Sequence, residues 1–365
     1  MGTLPLADVA HLTPKVGSLV TQFDSQSWRI ETQSEQGVHV EPGTRPGTLP
    51  VEEFGRSCGK VLEVMATVID GKASVARTAL TVLLAQGHLL LEDVPGVGKT
   101  MLAKTLARSV DCSVSRIQFT PDLLPSDVTG VSIYNQDSHR FEFRRGPVFA
   151  NIVIGDEINR ASAKTQSALL ECMEEHQVTV DGTTYELDEP FMVIATQNPI
   201  ELEGTFPLPE AQRDRFMARV SMGYPDTAAE IAMLETHQSR SPLDAVRPVV
   251  DTADLQALIA TVQSVYVSDP VKEYIVALGQ ASREHPDVRL GASPRALLQL
   301  LRAAKAEAAL NSRDFVLPDD VATVGPTVLS HRLVLHRRAE VAGTTEDEIV
   351  DGVLAKVPVR AGARG

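Results

Sequence analysis

The sequence is short of cysteine and of positive charge, and it has no long apolar run. Its three cysteines, Cys58, Cys112 and Cys172, lie far apart and form no CxxC pair, so neither a disulfide framework nor a thiolate zinc site is indicated. That usage fits a reducing, cytoplasmic compartment. Thirty-four basic residues against forty-eight acidic ones leave a net charge of -14, which argues against a nucleic-acid or anionic-membrane footprint over most of the surface. The most apolar segment, Val82 to Leu91, is interrupted by Gln86, Gly87 and His88 and falls far short of a membrane span. No basic stretch followed by an apolar run opens the chain, so neither export nor direct membrane insertion is expected. Gly2 precedes Leu6 where a myristoylation signal calls for Ser or Thr. A GxSxG serine elbow and an HExxH zinc motif are also missing, so hydrolysis by a serine elbow or by a zinc site of that kind is not indicated.

What remains is organised. Residues 1–50 carry Pro5, Pro14, Pro42, Pro46 and Pro50 among Ser, Thr, Gln and Gly, with no sustained periodicity, and read as a flexible, disordered tail. From Val51 the pattern turns helical. Short apolar runs at His88–Glu92, Ser115–Phe119, Ile152–Gly155 and Met192–Ala195 then alternate with amphipathic stretches, the rhythm of an α/β fold with a parallel sheet. Two hairpins interrupt it, one over Val131–Phe143 and one over Val178–Leu187 around the turn Asp181-Gly182. After about Gly223 strand signals stop, and helices are predicted at Ala228–Gln238, Ala253–Val265, Pro270–Glu284 and Pro294–Leu310, the last with Ser293 as N-cap. The expected division is a tail over 1–50, an α/β core over 51–223 and a small all-helical lid over 224–360.

Chemistry concentrates in the core. Asp93-Val94-Pro95-Gly96-Val97-Gly98-Lys99-Thr100, continuing to Met101, follows a strand and opens a helix, the context of a phosphate-binding loop. Gly96 and Gly98 let backbone N–H groups approach phosphate oxygens, Lys99 meets the β and γ phosphates of ATP, and Thr100 offers a hydroxyl to Mg2+. The strict motif has Gly where Asp93 stands; Asp tolerates the unusual dihedral such a position requires, so the departure reads as a variant. The apolar strand ending in Asp156-Glu157 delivers two carboxylates to the end of the sheet, Asp156 for the metal shell and Glu157 as the base for water. In isolation the same pair would be an ordinary acidic helix start. Asn198 follows the next strand and is placed to orient water or sense phosphate, although it could equally cap a turn before Pro199. Arg213 and Arg215 are both candidates for an arginine finger reaching a neighbouring subunit. Arg295, in the first turn of a lid helix where a cation is disfavoured by the dipole, points to an external anion such as nucleotide phosphate.

These strings resemble the MoxR family of AAA+ ATPases over about residues 51 to 358. The stretches that carry the likeness are LEDVPGVGKT (Leu91–Thr100), QFTPDLLPSDVTG (Gln118–Gly130), GDEINRA (Gly155–Ala161), KTQSALLECMEE (Lys164–Glu175), IATQNP (Ile194–Pro199), ELEGTFPLPEAQRDR (Glu201–Arg215) and GASPRA (Gly291–Ala296). The resemblance implies a P-loop AAA+ core with hairpin insertions and a helical lid. It implies Asn198 as sensor 1, Arg215 as the finger and Arg295 as sensor 2. It also implies a ring, a hexamer in the related machines, with chaperone-like action on a protein client and partners carrying von Willebrand factor A domains. Two other functions fit parts of the sequence: a nucleotide switch or scaffold with slow hydrolysis, and a nucleic-acid motor. Against the motor, Gln177–Leu187 offers Asp181 and Glu186 but no Lys or Arg.

Overall fold

In the computed structural model of the chain, the described residues are 47–359 apart from 70, 95, 199–204, 225–226 and 228–241. The tail expected over 1–50 lies outside them up to residue 46, as does the helix expected at Ala228–Gln238. Two helices, α1 (Val51–Ala66) and α2 (Ala73–Leu84), lead into β1 (Leu89–Glu92) and α3 (Lys99–Ser109). β2 (Val114–Gln118) and the short α4 (Pro125–Thr129) precede a hairpin of β3 (Gly130–Asn135) and β4 (Arg140–Arg145). β5 (Ile152–Asp156) is followed by α5 (Ala163–Glu175), a second hairpin of β6 (Gln177–Val180) and β7 (Thr183–Glu186), and then β8 (Met192–Gln197). α6 (Glu210–Arg213) and β9 (Ala218–Val220) close the sheet region. Beyond it lie α7 (Thr252–Ser264), α8 (Asp269–Glu284), β10 (Val288–Leu290), α9 (Pro294–Leu310), α10 (Pro318–Leu329), β11 (Val334–Leu335), α11 (Arg337–Val341) and α12 (Glu346–Lys356).

The main sheet runs β2-β5-β8-β1-β9, every pair parallel. Its central strands β5, β8 and β1 are apolar on both faces because both faces are covered, whereas the edge strand β2 is largely exposed. Leu89, Leu91, Ile152, Ile154, Met192 and Ile194 pack toward α1, α2 and α3. Leu90, Val153, Val193 and Ala195 face the other way, onto Leu169 and Leu170 of α5. Each fully buried Leu, Ile or Val contributes about 1.5–3 kcal/mol. The first core continues into the C-terminal helices, where Leu258, Leu278, Leu300 and Val321 join it. A partly buried ion pair adds a link, Arg77 of α2 meeting Glu307 of α9 at 2.7 Å.

The four expected core strands and both hairpins are present, with bounds shifted by a residue or two. The hairpins touch each other: the rings of Phe143 and Tyr185 stack with centroids 4.2 Å apart. Ser293 caps α9 as expected, its Oγ accepting from Ala296 N at 3.0 Å, and Pro294 follows at the first position. The sequence reading missed β9, whose three residues include Arg219 and carry no usable periodicity. It also missed α10, whose internal Pro326 disguises it, together with α11 and α12. The C-terminal region is helical, yet one short antiparallel ribbon of β10 and β11 lies within it, where no strand was foreseen.

Candidate active site

Register decides which side chains meet. Leu91 of β1 pairs with Thr196 of β8, Gly155 of β5 pairs with Ala195, and Gln118 of β2 pairs with Asp156. The residues that follow β1, β5 and β8 therefore emerge together at the carboxyl edge, the ligand edge of open α/β sheets. The loop after β1 takes positive φ at Gly96 (88°) and Gly98 (93°), where a side chain would be strained. No side chain caps α3 at Gly98, so its first-turn N–H groups point into the loop. Pro95 lies outside the described residues; Val94, Val97 and Met101 supply the rest of the loop and the start of the helix.

Lys99 Nζ donates to the Asp93 carbonyl at 2.7 Å. Burial pushes its pKa below the ordinary value, against the upward pull of the Asp93, Asp156 and Glu157 carboxylates. Thr100 Oγ1 lies 3.3 Å from Asp156 Oδ2, and Thr196 Oγ1 donates to Asp156 Oδ1 at 3.4 Å. A hydroxyl and a carboxylate side by side at a phosphate loop are hard oxygen donors, a set that suits Mg2+ completed by phosphate and water. Two residues that the sequence reading did not single out join them from β2. Arg116 Nε pairs with Asp156 Oδ2 at 2.6 Å, and Gln118 Nε2 donates to Glu157 Oε2 at 3.0 Å. Their spacing of two on one strand, aimed at the Asp-Glu strand, was the available signal.

Glu157 adopts φ 58° and ψ 49°, the left-handed region, and its N–H donates to Thr196 Oγ1 at 2.9 Å. Its carboxylate also meets Arg160 Nε at 3.0 Å. Asn198 is buried at the same edge, and its carbonyl accepts from Asn159 Nδ2 at 3.4 Å. Asp93 corrects an expectation. It is absent from the residues of positive φ, so tolerance of an unusual dihedral is not what it provides. Its Oδ2 instead accepts from Ser221 Oγ (3.1 Å), Met222 N (2.5 Å) and Gly223 N (2.7 Å), and its Oδ1 from Val94 N (3.0 Å). The carboxylate ties the start of the loop to the chain leaving β9.

The arginines lie elsewhere. Arg215 comes just before β9, whose Ala218 pairs with Leu89, the first residue of β1, so it sits at the amino edge of the sheet. There Glu174, at the end of α5, accepts from Arg215 Nε at 3.1 Å and from Arg295 Nη2. A shallow cleft of about 230 Å³ beside them is lined by Glu174, His176, Arg215, Arg295, Gln299 and Arg302. Among the described residues Arg213 makes no ion pair with Glu174, and its Nε is buried without a hydrogen-bond partner. Lys99, Thr100, Asp156, Glu157 and Asn198 are thus brought together, whereas Arg215 and Arg295 are brought to each other and not to the chain's own loop.

Residues 88–218 match the ATPase family associated with various cellular activities (AAA), and residues 280–353 match the AAA lid domain. The chain is 42% identical over 299 residues to Chaperone MoxR1 of Mycobacterium tuberculosis, covering 80% of this chain and 79% of that protein. It is 31% identical to Protein MoxR of Paracoccus denitrificans, covering 80% of this chain and 94% of the relative. The chain belongs to the MoxR family of AAA+ ATPases. An uncharacterized Bacillus subtilis protein, YeaC, is 52% identical to this MoxR-family chain over 86% of its length and 98% of the relative. A crystal structure of a Cytophaga hutchinsonii protein superposes with a TM-score of 0.80 at 41% identity, over 86% of this chain and 97% of that one. A full-length MCM homologue from Methanopyrus kandleri, 18% identical with a TM-score of 0.53, shares the fold of the MoxR chain over 88% of it and 63% of the homologue.

Proposed function

We propose that the chain couples magnesium-dependent ATP hydrolysis, at sites shared between neighbouring subunits of a ring, to remodelling or maturation of a protein client. The observation that carries this reading is the division of the catalytic set. Phosphate-facing residues occupy the carboxyl edge of the sheet and the two arginines its amino edge, so a complete set needs a second copy. Backbone N–H groups from Gly96 to Met101 and the Lys99 ammonium hold the phosphates. Thr100 and Asp156 would hold Mg2+, which when bound offsets charge on the β- and γ-phosphate oxygens. Glu157 accepts a proton from the attacking water, Asn198 orients that water, and the bond from γ-phosphorus to the ADP oxygen breaks. A neighbouring subunit presents Arg215 as the finger, with Arg295 beside it on the same phosphate, and both leave Glu174 to do so.

The client role follows the chaperone description of the Mycobacterium tuberculosis relative. Six subunits per ring and a partner with a von Willebrand factor A domain are proposed from the family resemblance. A cytoplasmic location rests on cysteine usage; among the described residues no helix is long and apolar enough to cross a membrane.

The test is a mixing experiment. Arg215→Ala should bind ATP normally and hydrolyse it roughly a thousandfold more slowly. Lys99→Ala should bind ATP poorly but keep its finger. Combined, the two inactive chains create interfaces where an intact phosphate edge meets an intact arginine edge, and part of the activity returns. Full-rate hydrolysis by a monomer in the presence of ATP would sink the ring.

A further inference from the structure

The segment that carries Arg215 is held from beneath by a side chain that no motif marks. Arg332 ends the turn Ser330–Arg332 between α10 and β11, and its side chain is 2% exposed. Its Nε pairs with Asp214 Oδ1 at 3.0 Å. Its Nη2 donates to the backbone carbonyls of Asp214 (3.2 Å) and Phe216 (2.5 Å) and to Gln299 Oε1, and its Nη1 donates to Val328 O at 2.5 Å. A guanidinium buried so deeply is costly unless paired and hydrogen-bonded, and this one directs its bonds to the residues on either side of Arg215. His331 adds a bond from Nε2 to the same Phe216 carbonyl at 3.0 Å.

The contacts run on to the second arginine. Asp214 also accepts from Ser293 Oγ at 2.9 Å, the N-cap of α9 two residues before Arg295. Gln299, one turn further along α9, donates to the Arg215 carbonyl at 3.4 Å. Arg332 thus sits at the centre of a polar cluster that joins the backbone of residues 214–216 to the helix presenting Arg295.

We propose that Arg332 is a positioning residue for the reaction between subunits: it locks the backbone on both sides of Arg215 and, through Asp214 and Gln299, joins it to α9, so that Arg215 and Arg295 face the neighbour as one rigid pair. The proposal rests on the ring reading above. A planar fork of five N–H donors suits this task, and a lysine ammonium does not.

Arg332→Lys in the full-length chain keeps the charge and loses the fork. It should assemble with ATP and bind it within about twofold of the unaltered chain, while kcat falls about a hundredfold, the cost attached to an ångström-scale misplacement. Mixing then assigns the damaged edge. With Lys99→Ala, activity should return, because that chain brings an intact arginine edge to the intact phosphate edge of Arg332→Lys. With Arg215→Ala nothing should return, because both chains are damaged on the same edge. Weakened ATP binding by Arg332→Lys, or recovery with Arg215→Ala, overturns the proposal. Should Arg332→Lys fail to fold, Gln299→Ala takes its place: a milder fall in kcat with the same mixing behaviour supports the proposal, and normal turnover overturns it. Arg215→Ala mixed with Lys99→Ala is the control. If that pair recovers nothing, the finger reading falls and this inference with it. If it recovers and Arg332→Lys does not behave as Arg215→Ala does, this inference alone falls.

Discussion

Glu157 holds backbone angles that cost a non-glycine residue on the order of 1–3 kcal/mol, and the surroundings sustain them through Thr196, Gln118 and Arg160. The strain aims a carboxylate beyond the end of β5 and beside Lys99. Glu157→Gln keeps size and polarity and removes the proposed base, so ATP affinity should persist while turnover drops by roughly two to four orders of magnitude. Calorimetry with a single-turnover assay separates the two; joint loss of binding and turnover would make the residue structural. Asp93 supports a second, opposite-looking substitution. Asp93→Gly restores the strict loop motif, yet it strips Met222 N and Gly223 N of their acceptor. Unsatisfied buried donors cost about 1–3 kcal/mol each, so this apparent repair should lower unfolding stability by ~2 kcal/mol or more in a denaturant titration. A neutral or stabilising outcome would return Asp93 to the role of a glycine substitute.

At the level of elements, His88 bolts a helix to the sheet just before β1. Its Nε2 donates to Met173 O of α5 at 2.9 Å, and its Nδ1 accepts from Val193 N of β8 at 3.0 Å. Burial pulls its pKa from 6.5 down to about 4. A histidine depressed in the folded state gives its full stabilisation above the unfolded pKa and loses it as pH falls from about 6.5 toward 4. Between pH 7 and pH 5 the loss should be about 2 kcal/mol, at about 1.4 kcal/mol per pH unit. Urea unfolding at several pH values should therefore have a shallower pH slope in His88→Gln. Equal slopes would refute the assignment.

The same scale explains what could be read from the chain alone. The loop at Gly96–Thr100 and the strand ending in Asp156-Glu157 were legible because each is a local string whose spacing already implies its geometry. β9 was not, since its three residues gain a partner only when Leu89–Leu91 lie alongside. Asp93 was misread because its acceptor role depends on Ser221, Met222 and Gly223, far along the chain. Arg332 stayed invisible for the same reason: its partners lie near residues 214–216 and 299, and nothing local distinguishes it from a surface arginine.

Over the whole molecule, the decisive feature is the distance between two edges of one sheet. Strands of about four residues at ~3.3 Å each hold the phosphate edge and the arginine edge on the order of 13 Å apart, with the core packed between them. The motifs at both edges could be read from sequence; their opposition could not, because it depends on the strand order β2-β5-β8-β1-β9. In genetic terms, the ring reading makes alleles of this one gene behave as if they belonged to two. A Lys99→Ala allele and an Arg215→Ala allele, each null alone, would complement in the same cell, since each product spoils a different half of the shared site. Placed on a single chain, the same two lesions would complement nothing, and beside sound copies each such chain would silence its own site and the one next door.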